Sequence, residues 1–136
     1  MDNVNKSIEK LKSVYGINLS DDYIEFLNKI DMFEFSWLNI NINGVEFELN
    51  HFLGYDEESS RDLYKWYAFA DDERIEYLTI AMGFGSEEVA IKVKGDNLGE
   101  IVLISLDINE KVKIQKLCDD FASLLKILQE EKSKNE

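Results

Sequence analysis

The stretch from Tyr77 to Asp107 decides the fold, and it reads YLTIAMGFGSEEVAIKVKGDNLGEIVLISLD. Aliphatic and β-branched residues fill three runs within it, and glycine-containing turns separate these runs. The runs are Tyr77–Met82, Val89–Val93 and Ile101–Leu106, and the turns are Gly83–Ser86 and Gly95–Gly99. Residues of these types between glycine clusters are typical of strands joined by short connections. The stretch therefore predicts an antiparallel meander.

Four other stretches space their apolar residues as amphipathic helices do. The first ends before Gly16, which suits a C-terminal cap, and the second begins after Ser20, which suits an N-terminal cap. The third follows Ser59-Ser60, and the fourth extends from Leu117 to about Glu130, where a polar tail begins. The spaced apolar residues are Val4, Ile8, Leu11, Tyr15, then Tyr23, Phe26, Leu27, Ile30, then Leu63, Trp66, Tyr67, Ala70, and last Leu117, Phe121, Leu124, Leu125, Leu128.

Between the second and third helices, the period changes to two from Phe35 onwards. Asn43-Gly44 between alternating runs is a strong signal for a β-hairpin. With this turn, one face is apolar (Ile40, Ile42, Val45, Phe47, Leu49) and the other is polar (Asn39, Asn41, Glu46, Glu48). The polar face predicts a hairpin that is covered on one side only. Grouped strands with flanking helices indicate one α+β domain over residues 1–136, with a central, mostly antiparallel sheet and about four helices.

Composition restricts the kind of partner. The net charge of -13 disfavours nucleic acid and anionic membranes, which would repel the chain, and it suits a basic protein. No apolar run is long enough to span a bilayer, the N-terminus lacks a signal-peptide pattern, and the single cysteine cannot form an internal disulfide. These features predict a cytoplasmic protein.

Three parts of the sequence together resemble the SUKH superfamily, the Smi/Knr-type domain. INLSDDYIEFL at Ile17–Leu27 resembles its opening helix. IAMGFGS at Ile80–Ser86, followed by VAIKV at Val89–Val93 and GEIVLISLD at Gly99–Asp107, is similar to its central turn and strands. LCDDFASLL at Leu117–Leu125 resembles its closing helix, in which a Phe and a Leu-Leu pair pack on the sheet.

This resemblance implies helices packed around a central antiparallel sheet. It also implies a function, because bacterial members commonly act as immunity proteins that bind and block a cognate toxin, often a nuclease or deaminase. The expected partner is therefore a basic toxin domain, bound without a cofactor and without catalysis. The alternative is a regulatory or scaffold module that binds a partner unrelated to toxins. Fold-level similarity is a weak guide between the two.

The residues that could carry chemistry favour no catalytic, cofactor or metal site. His51 is the only histidine and Cys118 the only cysteine, so neither a metal cluster nor a cysteine–histidine pair is indicated. Gly83-Phe84-Gly85 lacks the lysine of a phosphate-binding loop. Glu87 and Glu88 are adjacent in a predicted strand, where neighbouring side chains point to opposite faces.

Acidic residues concentrate between Glu46 and Glu76, where ten acids and three bases give a local net charge of -7. Aromatic residues are interleaved with them, which is typical of a surface that binds a basic protein. The alternative is that most of these aromatics belong to the core and the acids only face solvent. The predicted partner-binding residues are Tyr55, Asp56, Glu57, Glu58, Tyr64, Asp71, Asp72 and Glu73.

Overall fold

The computed structural model describes residues 3–29, 35–53, 63–68 and 75–134 of the chain. In chain order, the elements are α1 (Asn3–Tyr15), α2 (Asp21–Lys29), β1 (Leu38–Ile42), β2 (Val45–Phe52), α3 (Leu63–Ala68), β3 (Tyr77–Gly83), β4 (Glu88–Lys92), β5 (Ile101–Leu106), β6 (Val112–Cys118) and α4 (Phe121–Lys134). The six strands form one sheet in sequence order, and each neighbouring pair is antiparallel. The predicted α+β class with an antiparallel sheet is therefore confirmed. The expected helix count is slightly off, since three helices have nine residues or more and α3 has only six.

The β1–β2 hairpin forms as its alternation predicts. Asn43 and Gly44 have φ angles of 53° and 82°, the left-handed values that a two-residue type I′ turn requires. In the resulting register, Ile40 lies opposite Phe47 on the buried face, and Asn41 lies opposite Glu46 on the other face. Burial alternates strictly along β1, so the hairpin is covered on one side, as expected.

The central meander is confirmed, and its strands begin and end within one residue of the predicted bounds. The strands of the meander are more buried than those of the hairpin. Each of β3, β4 and β5 contains four consecutive buried residues. Thr79 and Glu88 belong to these buried runs, and the Thr79 hydroxyl donates to the Glu88 carboxylate at 2.7 Å. This hydrogen bond reduces the cost of placing a carboxylate that is only 5% exposed within the sheet.

The main core lies between one face of the sheet and the helices. Aromatic rings connect the layers: the ring centroid of Phe26 in α2 lies 5.0 Å from that of Phe52 in β2 and 4.9 Å from that of Phe121 in α4. Edge-to-face pairs of this kind contribute about 0.5–1.5 kcal/mol beyond their buried area. A smaller apolar cluster of Ala90, Val102 and Ile104 lies apart from this core.

The predicted helix caps form at α1 and, in modified form, at α2. Gly16 has a φ of 71°, and its N–H donates to the Lys12 carbonyl at 3.0 Å, which completes the C-terminal cap of α1. At α2, the Ser20 hydroxyl donates to Asp22, and the same carboxylate oxygen accepts the Tyr23 N–H at 2.7 Å. Ile30, Ser59, Ser60 and Ala70, which figured in the predicted helices, lie outside the described residues.

The predicted fourth helix is wrong at both ends. Leu117 and Cys118 belong to β6, and Leu117 is buried where the register of β6 against β5 shifts. The helix begins at Phe121 because Asp120 caps it by accepting the Ser123 N–H at 2.9 Å. At the other end, the helix continues to Lys134, four residues beyond Glu130, where a frayed tail was expected.

The sheet curls, and a side-chain hydrogen bond links the β1–β2 turn to the last strand. The Asn43 amide, in the turn after β1, donates to the Leu117 carbonyl in β6 at 2.8 Å. Helix α4 contacts both β1 and β6, so it lies across the space between the two edges of the sheet. None of the helices in the described ranges is long and apolar enough to cross a bilayer.

Candidate partner-binding surface

Of the predicted contact residues, the structure describes Tyr64. Tyr55, Asp56, Glu57, Glu58, Asp71, Asp72 and Glu73 lie outside the described residues, so their role stays a prediction. Tyr64 is described, and it is half-buried on α3. Its ring centroid lies 6.0 Å from that of Tyr15 and 5.3 Å from the Lys10 ammonium, both of which belong to α1. Packing between helices accounts for these contacts of Tyr64.

Three of the interleaved aromatic residues belong to the core. Phe47, Phe52 and Tyr67 are 6%, 0% and 3% exposed, so they are unavailable as anchors for a partner. The Tyr67 hydroxyl donates to the Ile75 carbonyl and thereby ties α3 to the segment that leads into β3. For these residues, the alternative interpretation of the acidic aromatic segment is correct.

A different surface combines acids with an exposed aromatic ring. A groove of about 560 Å³ lies beside the β1–β2 hairpin, and we call it the hairpin groove. Four acids, two amides and an exposed phenylalanine contribute to its lining, and α4 and the β3–β4 turn complete the walls. The lining residues are Asn39, Ile40, Asn41, Glu46, Phe47, Glu48, Phe84, Glu87 and Glu131.

Gly83 allows the walls of the groove to come together. A Cβ atom at this position would lie 3.0 Å from the Glu48 backbone oxygen and 3.0 Å from the Glu87 Cβ. The Gly83 N–H donates to the Glu87 carbonyl at 2.7 Å, and the Asn50 amide donates to the Gly83 carbonyl at 3.0 Å. Asn50 lies where the register of β2 against β3 shifts. Because Gly83 has no side chain, the Glu48 backbone and Glu87 can both lie close to it.

The electrostatics of the groove favour a cation. No lysine or arginine is among the described residues that line it. Burial raises the pKa of the half-buried Glu87 carboxyl above its usual value, because the charged form loses solvation. The other acids are partly engaged: Asn41 donates to Glu46 at 3.2 Å, and Glu131 pairs with Lys134 at 3.2 Å.

Two exposed apolar side chains lie in neighbouring turns at this end of the sheet. Phe84 is 69% exposed, and in the neighbouring β5–β6 turn Ile108 is 98% exposed. The two turns are adjacent, since the Leu106 N–H donates to the Ser86 hydroxyl at 3.4 Å. Aromatic and aliphatic side chains exposed beside charged groups are typical of interfaces, where they supply anchors.

Sequence reasoning identified part of this surface. Asn39, Asn41, Glu46 and Glu48 were assigned to an open polar face, and the structure confirms that assignment. Phe84 was considered only as part of a strand turn, and Glu87 only as one of two adjacent acids. Glu131 fell in the expected tail. The exposed aromatic residue in a glycine turn was the one signal that could have indicated the site.

The remaining chemical candidates lie in strands. His51 is half-buried in β2 opposite Met82. Burial raises the pKa of the Cys118 thiol to about 11, which is the opposite of what activates a cysteine nucleophile. Within the described ranges, no three histidine, cysteine or acidic side chains are grouped so that they could hold a metal ion.

The strand order and the helices that share its core define an antiparallel α+β domain of the meander type. The model of the SMI1 / KNR4 family (SUKH-1) matches residues 5–127, nearly the whole chain. The chain therefore belongs to this family, and the resemblance stated from the sequence is confirmed. No curated protein and no solved structure matches it.

Proposed function

We propose that this protein is a non-enzymatic immunity protein, which binds a cognate toxin with a basic domain and blocks it. Membership of the SMI1 / KNR4 family supports this proposal, since SUKH proteins commonly act in this way. In the proposal, residues 1–136 act as one binding unit in the cytoplasm, and no cofactor takes part. Inhibition follows from occlusion, because a protein seated on a basic toxin surface prevents that surface from reaching its substrate.

The observation that carries the proposal is the hairpin groove. It offers carboxylates and an exposed aromatic ring together, with no described cation in its lining. A chain with a net charge of -13 also steers a basic protein towards itself over a distance. Steering accelerates association, whereas the apolar contacts at Phe84 would slow dissociation.

Co-expression with the product of the neighbouring gene tests the function. We expect cells to survive when both proteins are made and to die when the neighbour is made alone. If the neighbouring product is harmless, or kills equally in the presence of this protein, the immunity function is wrong. The regulatory or scaffold module named above would then be the better interpretation.

Salt provides a second test on the purified proteins. Exposed charges are screened beyond about 10 Å at 0.1 M salt. We therefore expect the association rate with the toxin to fall steeply between low salt and physiological salt, while the dissociation rate changes little. A salt-independent association rate would contradict a role for the acidic surface.

A further inference from the structure

We propose that the hairpin groove holds an arginine side chain of the partner, between the carboxylates of Glu48 and Glu87 and beside the ring of Phe84. This inference rests on the proposed function and names the chemistry that the groove recognises. The groove is large enough, because its volume of about 560 Å³ exceeds that of a single side chain.

The first argument is the placement of the carboxylates. Glu48 belongs to β2 and Glu87 ends the β3–β4 turn; both line the groove, and both approach Gly83, where an added Cβ would lie 3.0 Å from the Glu48 backbone oxygen and 3.0 Å from the Glu87 Cβ. Carboxylates that reach a groove from a strand and from a neighbouring turn can accept from different edges of one planar group. A guanidinium carries five N–H donors in a fixed plane and can satisfy two carboxylates together, whereas an ammonium is a compact point charge.

The second argument is the amide edge of the groove. Asn39 and Asn41 are exposed on β1 and line the same groove. The Asn41 Oδ1 atom accepts the Gly44 N–H at 3.2 Å and its Nδ2 atom donates to Glu46, so its side chain is held in place. Fixed acceptors lower the entropy that is lost when a donor-rich side chain is bound.

The third argument is Phe84. Its ring is 69% exposed, although it sits in a turn whose ends are tied by the 3.2 Å hydrogen bond from the Glu87 N–H to the Phe84 carbonyl. An exposed ring beside a half-buried carboxylate can stack on a bound side chain while the carboxylate pairs with the charge of that side chain. Arginine uses both, because a guanidinium stacks on aromatic faces more often than an ammonium does.

The partner is unidentified, so the first experiment uses a small probe. N-acetyl-arginine-N-methylamide and its lysine counterpart are titrated into the ¹⁵N-labelled full-length protein, and amide shifts are followed by NMR. We expect the arginine compound to shift the backbone signals of Glu48, Phe84 and Glu87 saturably, and to bind more tightly than the lysine compound. Shifts that do not saturate, or that are equal for the two compounds, would overturn the inference.

Variants then assign the binding to named side chains. We expect Glu87→Gln and Phe84→Ala each to weaken binding of the arginine compound by roughly three- to tenfold. Asp96→Asn is the matched control, since Asp96 is exposed in the β4–β5 connection at the opposite end of the sheet. Equal weakening by Asp96→Asn would show that net charge alone attracts the probe, and the arginine site would be wrong.

Toxin neutralisation separates this inference from the proposed function. If the wild-type protein protects cells and the Glu48→Gln/Glu87→Gln double variant protects less, both are supported. If the double variant, checked for folding by circular dichroism, protects as well as the wild-type protein, the function stands and the arginine site is overturned. If the wild-type protein gives no protection, the proposed function fails, and the NMR titration alone decides the chemistry of the groove.

Discussion

The β1–β2 hairpin and the β3–β4–β5 strands belong to one sheet but meet solvent differently. Buried and exposed residues alternate along β1, whereas β3, β4 and β5 each contain four consecutive buried residues. The central strands therefore have little accessible surface on either face, and they serve as the platform. The hairpin is covered on one side only, and its free face becomes the wall of a groove. The difference shows that the candidate binding surface lies on a part of the sheet that is less covered than the central strands.

Truncation of a buried side chain should separate the two regions most clearly. Leu78 in β3 is fully buried in the main core. We expect Leu78→Ala to lower the free energy of unfolding by about 2–5 kcal/mol, because it removes apolar contacts and leaves a cavity. Urea unfolding followed by circular dichroism measures this loss.

Asn39→Ala is the matched control on the open face of the hairpin, and it should change the free energy of unfolding by at most about 0.5 kcal/mol. Similar losses in the two variants would mean that the hairpin face is covered as fully as the central strands, and the comparison would be wrong.

Gly83 lies at the junction of the two regions, so a substitution there should affect both stability and binding. A Cβ atom would be placed 3.0 Å from the Glu48 backbone oxygen, which β2 cannot move away without disturbing its pairing. We expect Gly83→Ala to destabilise the fold by about 1–3 kcal/mol. It should also weaken toxin binding, because Glu48 and Glu87 are pushed apart.

Gly85→Ala provides the comparison for Gly83. A Cβ at Gly85 meets no atom within 4 Å, and the cost there comes from its φ of 63°. A destabilised Gly85→Ala variant that binds as tightly as the wild-type protein would isolate the steric effect at Gly83. Unchanged binding by Gly83→Ala would show that its close contacts do not shape the groove.

The buried hydrogen bond between Thr79 and Glu88 tests whether water reaches the central strands. Thr79 is 5% exposed and donates to Glu88. We expect Thr79→Val, which keeps the shape of the side chain but removes the donor, to cost about 1 kcal/mol. Thr79→Ser retains the hydroxyl and should recover part of that loss. No difference between the valine and serine variants would indicate that water reaches Glu88.

Much of the fold follows from local patterns in the sequence. Asn43-Gly44 fixed the hairpin register because only a type I′ turn suits these residues between alternating runs. The meander followed from its apolar runs and glycine turns. The error at Leu117 has a local cause, since Leu117, Phe121 and Leu124 also fit helical spacing. The N-terminal cap at Asp120 was the signal that marks where the strand has ended.

The groove was harder to predict because it depends on contacts between distant segments. Glu48 and Glu131 are brought together only when α4 packs beside β1, and the spacing along the chain does not encode that. Glu87 was judged only against its neighbour Glu88. Glu87 lies in the turn before β4 and not in the strand; it lines the groove with residues of β2, whereas Glu88 is buried beside Thr79. The sequence indicated residues 46–76 as the contact segment, because a local concentration of acidic residues is visible without a structure.

The smallest expected effect is a change in how stability depends on pH when Glu87 is replaced. It compares the half-buried acid Glu87 with the exposed acid Glu25. Burial holds the pKa of Glu87 above its value of 4.5 in the unfolded chain, so the folded protein binds this proton more tightly. The resulting stabilisation is fully present below pH 4.5 and is lost as the pH rises through the folded pKa. We therefore expect Glu87→Gln to gain stability relative to the wild-type protein as the pH rises from 4 to 7.

Glu25→Gln should show the opposite trend. The hydrogen bond from Lys29, followed by the charge of that lysine, holds the pKa of Glu25 below its usual value. Its contribution is present above the unfolded pKa and is lost as the pH falls, so Glu25→Gln loses relative stability at neutral pH and recovers it in acid. Urea unfolding of both variants at pH 4, 5.5 and 7 measures the two trends. Slopes of the same sign would mean that Glu87 is as well solvated as Glu25, and that the groove does not desolvate its carboxylates before a partner arrives.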